Sequence, residues 1–153
     1  MSCLNEDEKW MRLCIEEARA AGDAGEIPIG AIVVRDGEIV ARAHNLCESL
    51  KDATAHAELL AISEACRATG GWRLSDCTMY VSLEPCPMCA GAAVNARIPR
   101  VVYGAKNPRM GACESLIRIS KYPLEAPLEC TGGVLEEQTL SLLSEFFSKK
   151  RNG

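Results

Sequence analysis

Apolar residues recur along this chain with two periods, 3.6 and 2, and the switching between them outlines the fold. From Glu6 to Ala21 they return every three or four positions among charged residues, which predicts an amphipathic helix ended near Gly22 and Gly25. Ile29 to Val34 is a β-branched run, Asp36-Gly37 is a two-residue hairpin turn, and Glu38 to Ala43 alternates as the partner strand. Ala55 to Ala68 predicts a second helix, stopped by Gly70-Gly71. Thr78 to Leu83 predicts a strand that runs directly into Pro85-Cys86, and Pro87 to Ala96 a short helix of small residues. Val101 to Tyr103 predicts another strand and Lys106 to Ser115 a Gly- and Pro-containing loop. Leu116 to Lys121 predicts a short helix before Pro123, Leu128 to Thr131 an edge strand, and Glu136 to Lys150 a final helix. Strands alternating with helices predict an α/β unit whose sheet is covered on both faces, read as a single domain over residues 1–153.

Composition narrows the class. A chain of 153 residues is long enough to bury a core, and no stretch is apolar and long enough to span a membrane. Met1 to Glu8 carries no hydrophobic signal region, so the expectation is a cytoplasmic protein. Nine cysteines, an odd number at irregular spacing, suit a reducing compartment better than a disulfide framework. Cys14 and Cys66 fall in helical patterns and are expected to be small buried hydrophobes. The net charge of −4 argues against general nucleic-acid affinity. Its distribution qualifies that: Arg97 to Lys121 holds six basic residues against Glu114 alone, and the chain ends near Lys149-Lys150-Arg151. A local basic face is one reading, an ordinary solvated surface the other.

The chemistry is concentrated in His56-Ala57-Glu58 and Pro85-Cys86-Pro87-Met88-Cys89. One imidazole and two thiolates at C-x-x-C spacing supply three zinc ligands, which leaves a fourth position for water, the arrangement of a catalytic rather than a structural site. Glu58, two residues past the histidine, supplies an acid/base. Alone, a C-x-x-C is also a redox pair and a first-turn Glu also a complement to the helix dipole. Together and in this order they form the zinc-deaminase signature H-x-E…P-C-x-x-C. Thr54 is a candidate N-cap for the helix carrying His56, and Pro87 suits the first turn of a helix beginning at Cys86, so both ligand sets are expected at helix N-termini. His44, the other histidine, reads as structural.

Around these motifs the chain resembles the cytidine deaminase-like zinc enzymes, and within them the bacterial tRNA-specific adenosine deaminases. The carriers are Glu26-Ile27-Pro28-Ile29-Gly30-Ala31, His44-Asn45, Thr54-Ala55-His56-Ala57-Glu58, Leu83-Glu84-Pro85-Cys86-Pro87-Met88-Cys89-Ala90-Gly91-Ala92, the run Arg97 to Ala105, and Phe146-Phe147. The resemblance implies a three-layer α/β/α sandwich with a central five-stranded mixed sheet. It also implies a homodimer with one Zn2+ per subunit that binds a tRNA anticodon stem-loop and converts the wobble adenosine to inosine. By the same resemblance His56, Cys86 and Cys89 hold zinc, and Glu58 shuttles protons. Asn45 hydrogen-bonds the flipped base; Ile27, Pro28 and Leu83 wall its pocket; Phe146 faces RNA. Asn also suits a strand-end turn, and Phe146 and Phe147 lie in a helix where at least one is expected in the core.

The loop departs from the pattern. Asn107 stands where the family usually has an Asp that accepts from a ribose hydroxyl, which predicts a weaker demand for the 2′-OH. Glu114 stands where it usually has Gly and puts negative charge near expected phosphates. Two other readings stay open on the same scaffold: a deaminase of free guanine or cytosine, and a non-catalytic zinc-stabilised binding module.

Overall fold

A computed structural model describes residues 3–152; Met1, Ser2 and Gly153, which the single-domain reading includes, lie outside the described residues. The elements are α1 (Cys3–Asp23), β1 (Gly30–Arg35), β2 (Glu38–His44), α2 (Cys47–Leu50), α3 (Ala57–Thr69), β3 (Cys77–Leu83), α4 (Pro87–Asn95), β4 (Arg100–Ala105), β5 (Glu129–Thr131) and α5 (Glu136–Asn152). The sheet order is β2-β1-β3-β4-β5. β1 runs antiparallel to β2 and β3, whereas β3, β4 and β5 are mutually parallel, so the sheet is five-stranded and mixed as expected.

Period 2 sorts the strand residues into two cores. Ala31, Val33, Met79, Val81, Val101 and Tyr103 face Ala57, Ala61 and Ala65 of α3 and Ala93 of α4. Ile32, Val34, Tyr80 and Val102 face Trp10, Met11, Cys14 and Ile15 of α1. Strands covered on both faces need apolar residues at every position, which is why β1, β3 and β4 read as near-continuous hydrophobic runs. α5 lies against β4 on the side of α1, completing three layers. The hairpin turn is the expected one: Asp36 at φ 52° and Gly37 at φ 74° are both left-handed, as a turn matching strand twist requires. At Gly30 the approach of α1 is so close that a Cβ would stand 2.1 Å from the Cys14 carbonyl oxygen.

One buried ionic knot ties α1 to the sheet. Asp7 accepts from Arg100 Nη1 and Nη2 at 3.0 and 2.8 Å and from the Tyr80 hydroxyl at 2.8 Å.

Two elements and one side chain differ from expectation. The helix predicted over Leu116 to Lys121 is only a 3-10 turn at Ile119–Lys121. Leu116 and Ile117 donate back to the Gly111 carbonyl and Ile119 to that of Ala112, so the segment folds onto the preceding loop instead of building its own ladder. The turn α2 had no periodic signal. It is organised by the buried Glu26, whose carboxylate accepts from the amides of Glu48 and Ser49 and from the Ser49 hydroxyl. Cys14 is fully buried as expected, but Cys66 is only half-buried, its thiol aimed at the Trp72 carbonyl.

Candidate active site

The C-terminal ends of β3 and β4 and the N-termini of α3 and α4 converge on one point. His56 is the N-cap of α3 and Cys86 the N-cap of α4, with Pro87 in the first turn and Cys89 three residues on from Cys86. Thr54 is therefore not the cap expected of it; its hydroxyl and amide both donate to Asp52 Oδ1, at 2.7 and 2.8 Å. The helix that carries His56 starts two residues later than a Thr54 cap requires, because the Asn45 Oδ1 accepts from the Ala57 amide at 2.8 Å. That bond fills one of the orphan donors of the first turn.

His56, Cys86 and Cys89 present Nδ1 and two sulfurs within 4.8 Å of one another. Nδ1 lies 3.7 Å from the Cys86 sulfur and 3.4 Å from that of Cys89. A tetrahedral ion with Zn–N of about 2.0 Å and Zn–S of about 2.3 Å sets an N···S edge of about 3.5 Å, so the donor set fits zinc. Among the described residues no further His, Cys, Asp or Glu joins this group. His44 is engaged elsewhere, its Nδ1 2.8 Å from Glu17, as its structural reading anticipated. A hydrogen bond from Cys89, with help from the backbone amides of Cys89 and Met88, holds the Cys86 thiol down at about 5 against burial. At Cys86 the Cys89 side chain and the first-turn amides thus favour thiolate, the form a metal needs, whereas the hydrogen bond with Cys86 and burial push the Cys89 thiol up.

Glu58 occupies the first turn of α3 and is buried. Burial pushes its carboxyl up to about 7, opposed by its own backbone amide and by His56. It lines a cavity of about 160 Å³ together with His56, Cys86, Ile29, Leu83, Glu84, Asn107 and Met110. That cavity shares Ile29, Leu83 and Asn107 with a groove of about 810 Å³. The groove has an apolar floor that includes Ile27, Leu140, Leu143 and Phe147, and a rim of Lys106, Arg109, Lys150 and Arg151.

Of the residues expected at the substrate, Leu83 and Asn107 line both spaces and Ile27 lines the groove. Pro28 and Phe146 do not: they share a separate pocket of about 170 Å³ with Gly22 and Leu142. The aromatic in the groove is Phe147, because consecutive helical side chains diverge by about 100°. Neither ring is core: Phe146 is half-buried, Phe147 is 44% exposed, and the two meet edge to face at 5.4 Å. Asn45 is buried beside the ligand helix, its oxygen taken by Ala57. Its Nδ2 donates no hydrogen bond among the described residues, and Asn45 is not among the residues that line the cavity or the groove.

The basic run disperses. Lys106 and Arg109 face the groove, Arg100 is held by Asp7, and Arg97 stacks towards Trp72 at the far end of the sheet. The Glu114 carboxylate accepts from the Tyr103 hydroxyl and lines a cavity of about 460 Å³ that shares Lys106 with the groove. Met110 and Ile29 were missed by sequence reasoning; a lone Met in a polar loop has no periodic signal.

A sequence profile of the MafB19-like deaminases matches residues 5–150, so the chain belongs to that deaminase family. It is 48% identical over 149 residues to the tRNA-specific adenosine deaminase of Bacillus subtilis (strain 168), with 97% of this chain and 92% of that one covered. Within the deaminases, then, it is a member of the tRNA-specific adenosine deaminase family. A solved structure described as a tRNA:A34 deaminase performing A-to-I editing at the wobble position superposes with a TM-score of 0.84 at 44% identity, covering 87% of this chain and 97% of the other. A guanine deaminase from Nitrosomonas europaea has a TM-score of 0.80 at 26% identity, covering 92% of this chain and 84% of that one. Among the described residues no helix is long and apolar enough to cross a membrane.

Proposed function

We propose that this chain hydrolyses the exocyclic amine of adenosine at the wobble position of a tRNA anticodon, giving inosine and ammonia. One observation carries the reading: a base-sized cavity at the ligand cluster shares Ile29, Leu83 and Asn107 with a far larger groove lined by apolar side chains and four cations. A free base needs only the first space. An unstacked strand whose flipped base enters the cavity uses both, its neighbours against the apolar floor and its phosphates at the rim. The name and editing position of the relatives support the same substrate.

His56, Cys86 and Cys89 are the zinc ligands in this proposal, one ion per chain. When bound, zinc supplies the Lewis acidity that makes a water nucleophilic near neutral pH. Glu58 is the proton carrier: buried in the cavity wall, it takes a proton from the water and gives it to the purine ring nitrogen, then takes the proton of the hydroxyl now on C6 and gives it to the departing amino group, which leaves as ammonia. Asn45 offers its free Nδ2 to a base acceptor, Leu83 and Ile27 provide the apolar wall, and Asn107 faces the sugar. Phe147, in the place first given to Phe146, provides a surface for stacking. A homodimer in the cytoplasm belongs to the same reading. Leu50 on α2 and Met88 on α4 are exposed apolar side chains beside the ligand-bearing elements, and sedimentation at working concentration tests the assembly.

Ammonia release measured across an anticodon stem-loop, free adenosine, guanine and cytosine tests the substrate. Turnover is expected on the stem-loop; release from guanine with none from RNA transfers the chain to the free-base reading. Glu58→Ala is expected to lose turnover and keep stoichiometric zinc, and loss of the metal as well contradicts the division of roles.

A further inference from the structure

Glu84 is a buried carboxylate that the chemistry above leaves without a role. It joins the end of β3 to the Pro85-Cys86 ligand turn and is 1% exposed. Both its oxygens are saturated by a single segment. Oε1 accepts from the Asn107 amide at 3.1 Å and from the Ser115 hydroxyl. Oε2 accepts from the amides of Cys113, Glu114 and Ser115 at 3.0, 2.8 and 3.0 Å. The segment is clipped to the ligand turn once more, where the Ala112 amide donates to the Pro85 carbonyl at 2.8 Å. Gly111 lies so close over the carboxylate that a Cβ there would stand 2.3 Å from Glu84 Cδ.

Four converging amides form a concave anion site, and only a charge with two accepting oxygens satisfies all of them. The segment so held is the one that brings Asn107 and Met110 to the cavity beside His56 and Glu58. We propose that Glu84 is a positioning residue: its carboxylate fixes the 107–115 loop on the ligand turn and thereby sets where Asn107 and Met110 meet the substrate. The inference rests on reading that cavity as the base pocket. It assigns Glu84 to substrate fit and leaves zinc retention and proton transfer to others.

Glu84→Gln tests this with little change of shape. The amide has one accepting end. With its oxygen at the Oε2 position it keeps Cys113, Glu114 and Ser115, and its NH2 meets the Ser115 hydroxyl, which can accept. The Asn107 amide is then left facing a donor. The expected result is faster hydrogen exchange at Asn107 with Cys113 to Ser115 still protected, and a KM for the stem-loop raised about tenfold. Zinc content is unchanged, and kcat stays within about twofold, because the reacting groups are not displaced. Glu84→Asp retains the charge and is expected to recover part of the KM. Gly111→Ala presses on the same carboxylate, so its effect and that of Glu84→Gln combine to less than their sum.

Unchanged exchange at Asn107 overturns the anchor, and faster exchange with an unchanged KM overturns its link to substrate. Zinc loss with a fall in kcat assigns Glu84 to the ligand turn instead. A natural protein inactive on every stem-loop sinks the base-pocket reading separately, since exchange is measured without substrate.

Discussion

Asp7→Ala separates the scaffold from the chemistry. The Asp7 side chain is 3% exposed and accepts three hydrogen bonds, two from Arg100 and one from Tyr80. Truncation strands a guanidinium and a phenol that folding has withdrawn from water. Breaking a buried pair from one side costs about 3–5 kcal/mol. The Arg100 side chain keeps 27% exposure, and Glu129 lies 3.9 Å from its Nε, but Glu129 is itself 72% exposed and compensates little. The lower end follows, about 3 kcal/mol, or a fall of about 10 °C in Tm for a chain of this size. Tyr80→Phe, which removes one bond and leaves the ion pair, is expected to cost about 1 kcal/mol. Arg100 pairs with Thr78 at the start of β3, whereas the site lies beyond Leu83, about 17 Å along the strand. Thermal unfolding by circular dichroism, run beside kinetics at a temperature where both proteins are folded, is the assay. A loss below 1 kcal/mol refutes the energetic argument. A kcat/KM that falls severalfold in fully folded Asp7→Ala refutes the separation.

Four further outcomes are expected. Glu26 is desolvated, but bonds from Ser49 and Glu48 more than offset this and hold its carboxyl below the usual range. Its contribution to stability is therefore complete above the unfolded pKa of about 4.3 and lost as pH falls through the lower folded value. Glu26→Gln should flatten the acid limb of a stability–pH curve, and an unchanged limb counts against it. Gly30→Ala drives a methyl into the Cys14 carbonyl 2.1 Å away and should destabilise the fold by at least the roughly 1–3 kcal/mol typical of overpacking, seen as a lower Tm with zinc retained. If Lys106, Arg109, Lys150 and Arg151 meet phosphates of a single strand, log kcat/KM should fall against log salt with a slope near 0.7 per contact, about 3 for all four. A flat salt dependence favours a free-base substrate. Asn107→Asp replaces a neutral acceptor by a charged one and should raise the preference for an RNA stem-loop over its DNA counterpart; equal ratios remove Asn107 from sugar recognition.

The parts of this protein legible in its sequence are those governed by short-range rules. The three inner strands announced themselves because both of their faces are buried, and the hairpin because Asp36-Gly37 takes two left-handed residues in succession. The ligand set was legible because its spacing is itself the geometry: Cys86 and Cys89 occupy one first turn, and His56 with Glu58 another. What stayed hidden depends on partners distant in the chain or on one helical step. Phe146 and Phe147 differ by a rotation that no periodicity in so polar a helix resolves. Thr54 met the requirements of a cap, but Asp52 took its hydroxyl and Asn45 took the helix amide.

The loop shows most clearly why the rest could not be read. Residues 106–115 have no period, and their order comes from Glu84, 23 to 31 positions earlier in the chain. Glu26 does the same for α2 from 22 and 23 positions away. In both cases a buried carboxylate replaces the missing local ladder by collecting backbone amides that would otherwise go unpaired. An anion on such a nest tolerates no neutral apolar substitute, so each of these two buried carboxylates is an organising centre for a segment distant in the chain. Glu26 stands directly before Ile27-Pro28-Ile29 and Glu84 directly after Leu83, so both carboxylates adjoin residues that line the groove.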